Sequence, residues 1–190
     1  MEDVLYKHSW FVDYLNDLGR EPLPFVGKFK ASDKATEVAH DIRERLGLAD
    51  AARQSRNWEA FVRLLIDKAE DAGVWVMRTG IVGSNTHRPL SVQQFRGFAI
   101  SNPIAPLIFI NGKDALAAQI FTFAHEIAHI WLGSTGISNV QIGRRDYGTD
   151  RATEIACNKL LRSWFLKMSS TTNGPVLDRT IMTSYLSSSK

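Results

Sequence analysis

One stretch constrains this chain more than any other: KDALAAQIFTFAHEIAHIWLG, residues 113–133. It is apolar almost all round, so it predicts a buried helix over 114–132, opened by Asp114 and closed by Gly133. Yet His125, Glu126 and His129 lie inside it. Ionisable groups buried without partners are expensive, so these three need a reason to be there. Their spacing supplies one. His125 and His129 are one helical turn apart and share a face, with Cβ atoms about 5–6 Å apart. Two imidazoles so placed can converge on one ion at about 2.0–2.1 Å from each nitrogen. Glu126 is turned by about 100° from His125. It points beside the ion, where a base must sit to take a proton from water. The pattern is HExxH, which carries the hydrolytic zinc chemistry of metalloproteases. The plainer alternative is a pair of satisfied core histidines beside a capping or salt-bridged glutamate. The apolar helix between Asp114 and Gly133 is the context the motif requires, and it favours the metal.

Two histidines leave zinc short of a ligand, because a catalytic site takes three protein donors and keeps one position open. The downstream candidates are Asp146, Asp150 and Glu154. Glu154 is the only glutamate after Glu126, and it falls on a second expected helix, 150–167. A helical hairpin could bring it to the ion. Asn158 follows one turn later on the same face and could hydrogen-bond a ligand. Cys157 reads as a small buried apolar residue.

The rest of the chain reads as helices, then a small sheet, then the two helices just described. Residues 3–19 have helical apolar spacing, with Leu5, Trp10, Phe11, Tyr14, Leu15 and Leu18 as the apolar members; the segment of Pro22 and Pro24 stops it. A second helix is expected over 33–47, with Ala35, Val38, Ala39, Ile42 and Leu46 inward. Asn57 caps a third, with Phe61, Leu64, Leu65 and Ala69 at helical spacing and Gly73 at its end. Strands are expected at 74–80, 95–101 and 105–111, with 81–94 as a loop. The tail beyond Ser169 has room for a weak helix at 178–187. This order is α+β, not alternating βαβ. It divides into an N-terminal helical extension (1–30), a central domain (31–168) and a C-terminal tail (169–190).

Composition excludes several classes. The net charge is +3 with the Lys and Arg spread along the chain, and RRDYGTDR (144–151) is half neutralised by its own acids. Direct nucleic-acid binding is therefore not expected. A single cysteine and the absence of a long apolar run fit a cytoplasmic chain without a membrane span.

These residues resemble the ImmA/IrrE family of metallopeptidases over roughly 20–166. RGFAISNPIAPLIFINGKDALAAQIFTFAHEIAHIWLGSTGIS (96–138) looks like that family's strand–helix core, GIVGSNTHRPL (80–90) like the loop ahead of it, and TEIACNKLL (153–161) like its third-ligand helix. The resemblance implies Zn2+, a small zincin-like fold with a mostly antiparallel sheet, and Glu154 and Asn158 in the roles given above. It also implies cleavage of a regulatory protein, typically a helix-turn-helix repressor of a prophage, mobile element or stress regulon. Here the third-ligand helix lacks the Leu-Pro or Val-Pro ending common in the family. Some members carry an N-terminal helix-turn-helix domain, and this chain's first residues resemble the segment that follows one. Glu126 is the expected base. Tyr147, between the two ligand helices, is the best placed of the groups able to stabilise an oxyanion, ahead of His87, Arg88 and Arg145. The substrate is expected to be an extended peptide pairing with a sheet edge. A competing expectation is a zinc-containing module that sequesters a repressor without cutting it.

Overall fold

The computed structural model describes residues 2–49, 55–82, 85–93, 95–135 and 151–169. Its elements run α1 (Glu2–Asp17), α2 (Ala35–Arg45), α3 (Trp58–Asp71), β1 (Trp75–Thr79), β2 (Ile81–Val82), β3 (Asn85–Pro89), β4 (Gly97–Ile100), β5 (Leu107–Asn111), α4 (Leu116–Trp131) and α5 (Arg151–Ser169). The architecture is α+β. The expected tail helix at 178–187 lies outside the described residues.

A three-stranded mixed sheet in the order β1-β5-β4 forms the middle layer. β1 pairs with β5 in parallel over five residues, and β4 pairs with β5 antiparallel. Strand alternation sorts its side chains cleanly. Val76, Ala99, Ile108 and Ile110 enter the main core, with α2, α3, α4 and α5. Trp75, Phe98, Ile100, Leu107 and Phe109 turn the other way into a second, smaller cluster. That second face is where α1 packs. The ring of Phe11 meets Trp75 at 4.9 Å, Val4 touches the cluster, and buried His8 donates from Nε2 to the carbonyl of Ala105 at 2.8 Å.

Two expectations about these elements need correction. Part of the expected loop 81–94 is a two-stranded antiparallel hairpin, β2 with β3. Its strands are two and five residues long and irregular in register, too short to show alternation in the sequence. The apolar members of the first helix are also not uniformly inward. Leu5, Trp10, Tyr14 and Leu18 are exposed, while Phe11 and Leu15 are half-buried.

The other helices follow their apolar periods. Val38, Ala39, Ile42 and Leu46 are buried, as are Phe61, Leu65 and Ala69; Ala35 and Leu64 are half-buried. Asn57 caps α3, its Oδ1 accepting from the amide of Ala60 at 2.8 Å. α3 and β1 are further tied by a forked pair: Arg78 donates twice to Glu59, at 2.8 and 3.1 Å, and once to Gln119 of α4 at 2.7 Å.

Candidate active site

α4 is buried along nearly its whole length, as its composition demands; every residue from Ala118 to Trp131 is inaccessible or nearly so. Its start differs from expectation. Ala115, not Asp114, is the residue before the first turn. Asp114 instead turns its Oδ1 onto the amide of Ala115, and its carbonyl accepts from the side chain of Gln119 at 2.6 Å. Gln119 thus ties its own helix to the residue just ahead of it, through a carbonyl and not through a free amide.

The far end is secured by the segment before α2. The carbonyls of Ile130 and Trp131, left without helical partners at the C-terminus, accept from the amides of Gly27 and Phe29 at 3.0 and 3.1 Å. The chains approach back to back there. Gly27 and Gly133 both have φ of 66°, and a Cβ on Gly133 would lie 2.9 Å from the Cα of Gly27. Both positions require glycine. Phe25 stacks on Trp131 at 4.3 Å, and the indole N–H of Trp131 donates to Asp41 Oδ2 at 2.8 Å. α4 is therefore pinned at both ends.

Between those ends the three expected donors come together. Nε2 of His125 and Nε2 of His129 are 3.0 Å apart. From α5, Glu154 brings Oε2 to 3.3 Å from His125 and Oε1 to 3.3 Å from His129. All three donors lie within 4.8 Å of one another. Four ligands around a tetrahedral zinc at about 2.0–2.1 Å from each donor are separated by about 3.3–3.4 Å. The observed separations are near that size, the two to Glu154 running to different oxygens of its carboxylate, and two imidazoles with a carboxylate are a donor set zinc accepts. Protonation alone accounts for the cluster poorly. Two imidazolium rings with facing nitrogens 3.0 Å apart would repel. His129 is fully buried, whereas the side chains of His125 and Glu154 are 11% and 22% accessible, so the cluster opens to solvent on their side. Burial works against ionising Glu154, but hydrogen bonds from His125 and His129 outweigh it and hold the carboxyl well below the usual carboxylate range. It is an anion at any pH where imidazole is neutral, the state that ligation requires.

Glu126 is fully buried beside this cluster. β4 passes close to it at Gly97, where a Cβ would press on the Thr122 side chain and, at 2.7 Å, on the carbonyl of Phe109, and would reach Oε1 of Glu126 at an ordinary contact distance of 3.5 Å. Gly97 is the residue missing from the sequence-based site. A glycine inside a strand marks close approach of something to the backbone, and that signal was present. Asn158 is half-buried one turn beyond Glu154; among the described residues its side chain makes no hydrogen bond to His125, His129 or Glu154. Tyr147, Arg145, Asp146 and Asp150 lie outside the described residues, and the side chains of His87 and Arg88 are likewise not described.

Cys157 is fully buried on α5. Burial pushes its thiol up, and the nearby charges of Glu154 and Glu126 push it further. At neutral pH it should therefore ignore iodoacetamide in the folded protein and react fully once unfolded in guanidinium. Intact mass before and after unfolding checks this, and native labelling within minutes would contradict the burial.

A helix with two histidines and an adjacent glutamate, a third donor from the next helix and a small sheet behind them define the metallopeptidase class of α+β domains. The model of the family described as the IrrE N-terminal-like domain, Peptidase_M78, matches residues 69–166, just over half of the chain, and the chain belongs to that peptidase family. Neither the curated proteins nor the solved structures gave a match. Among the described residues no helix is long and apolar enough to cross a membrane.

Proposed function

We propose that the chain is a zinc-dependent endopeptidase that cuts a regulatory protein, and that its substrate is a helix-turn-helix repressor of a prophage, mobile element or stress regulon. The observation that carries this reading is the convergence of His125, His129 and Glu154, their donors within 4.8 Å of one another, with Glu126 buried beside them. A purely structural zinc site closes with a fourth ligand and has no use for a further acid.

Bound zinc supplies Lewis acidity at this point, making water a better nucleophile near neutral pH and polarising the scissile carbonyl. Glu126 accepts the proton of the attacking water and passes it to the departing amine nitrogen. Glu154 as a carboxylate and His125 and His129 as neutral imidazoles would hold the ion. Gly97 keeps the backbone of β4 close to Glu126. β4 is an outer strand of the sheet, so an extended peptide can add to its edge with its carbonyl facing the site. Tyr147 is the proposed donor to the oxyanion, Asn158 the proposed support for a ligand, and the cytoplasm the proposed compartment.

The zinc part of the reading is tested by metal analysis. The purified chain is expected to bind one zinc, and His129→Ala and Glu154→Ala to lose roughly 10–100-fold or more in affinity. The substrate part is tested by incubating the zinc-loaded protein with the repressor encoded beside it and reading intact masses. Two complementary fragments are expected, lost with a chelator and restored by zinc. A repressor left whole by fully loaded protein would leave sequestration as the better account.

A further inference from the structure

The inner side of α1 is accounted for by the sheet, through Val4, His8 and Phe11. Its outer side is not. Tyr6, Trp10 and Tyr14 follow one another at intervals of four on that side and are 76%, 63% and 47% exposed. Trp10 and Tyr14 stack nearly parallel, 7° between planes and 5.6 Å between centroids, forming a flat aromatic shelf. Large aromatic rings in water along one helical stripe mark an interaction surface more often than a solvated face.

The charges beside the shelf indicate the partner. α1 carries four acids against one lysine, while the whole chain has a net charge of +3. Lys7 is engaged with Asp3 at 2.9 Å. Asp13 and Asp17 are exposed and, among the described residues, have no ion pair. They stand in the second half of α1, toward the negative end of the helix dipole, and no basic residue occupies the last turn. Acids at that end destabilise a helix, so their placement works against α1 alone and in favour of a cationic neighbour. Self-pairing of α1 would set acids against acids, and an anionic lipid surface would be repelled. Lys and Arg side chains, by contrast, can pair with Asp13 and Asp17 and lie over the faces of Tyr6, Trp10 and Tyr14.

We propose that the outer face of α1 is a docking site for a basic amphipathic helix of a partner protein, whose apolar side covers the Tyr6–Trp10–Tyr14 shelf and whose Lys or Arg residues meet Asp13 and Asp17. The site is separate from the His125–His129–Glu154 cluster and does not depend on the catalytic reading.

The probe is a fluorescein-labelled peptide of about 18 residues with Leu and Lys at amphipathic helical spacing, titrated with the full chain by anisotropy. A control peptide has every Lys replaced by Glu. Saturable binding of the basic peptide is expected, with none of the acidic one. Trp10→Ala with Tyr14→Ala, and separately Asp13→Lys with Asp17→Lys, should each weaken it by roughly tenfold or more. Both pairs are exposed, so circular dichroism and melting should match the unmodified chain; a variant that melts early is replaced by Trp10→Gln or Asp17→Asn. Binding should also weaken as salt rises. Absence of saturable binding below about 1 mM overturns the proposal. Equal binding of the acidic peptide, or full affinity in both variant pairs, overturns it too. So does a dimer in sedimentation that Trp10→Ala abolishes, because the occupant would then be a second copy.

Discussion

Glu126→Gln is expected to lower the turnover of a cleavable repressor by about 10²–10⁴-fold while leaving the zinc content unchanged. The two halves of this result come from different features of the site. Glu126 is not among the three clustered donors, so removing its charge removes no ligand. It is fully buried beside them, and an amide of nearly the same shape fits the space the carboxylate fills. What disappears is the ability to accept a proton from water and return it to the amine. An amide is also cheaper to bury than an ionised carboxylate. The variant should therefore melt at the same temperature as the original or slightly above it, which separates lost chemistry from lost fold. Single-turnover rates with zinc measured on the same sample decide the matter. Turnover within twofold of the unmodified chain would remove Glu126 from the chemistry; zinc loss would make it a ligand or a support for one.

The sequence exposed the helix of the two histidines because the helical period and the geometry a metal would need demand the same thing. His125 and His129 must be four apart to share an ion, and a buried helix must be apolar everywhere else. The place of Glu154 in the cluster was legible by a different route, since an ion that two residues could hold calls for a third, and few acids follow. The rest of the site depends on contacts between distant segments, which no local pattern records. Nothing in the glycines of residues 27 and 133 says that they face each other, and Asp41 lies ninety positions before the indole it accepts from. The parallel pairing of β1 with β5 was hidden for the same reason, because a short apolar strand looks alike whichever way its neighbour runs. The first helix has apolar residues on two sides, of which one meets a sheet. Its inner and outer sides both contain aromatic rings, so periodicity alone could not say which was which.

The largest expected loss of stability belongs to Trp131, two residues after His129. Trp131→Ala should cost about 3–5 kcal/mol, enough to lower the melting temperature of a chain this size by about 10 °C or more. The side chain is completely buried, stacked on Phe25, and hydrogen-bonded to Asp41, which also pairs with Lys28. Truncation leaves a void where the residues 25–29 segment meets the end of α4, and it leaves Asp41 short of a donor. Trp131→Phe separates the two effects, since it keeps most of the apolar contact and loses only the hydrogen bond to a charged acceptor, worth about 1.5–3 kcal/mol. Its pH dependence identifies that bond. Burial alone would raise Asp41, but hydrogen bonds from Lys28 and Trp131 and the nearby positive charge hold its carboxyl below the usual carboxylate range. A lowered folded value contributes stability that is complete above the unfolded pKa of about 3.9 and disappears as the pH falls through the folded value. The penalty of Trp131→Phe should accordingly be full at neutral pH and shrink in acid below about pH 4, as protonation weakens the acceptor in the unmodified chain. Urea melts of both proteins across that range measure it. A penalty that stays constant down to the lowest pH at which the chain folds would mean that Asp41 is not the partner that matters, and that packing on Phe25 alone holds the end of the catalytic helix.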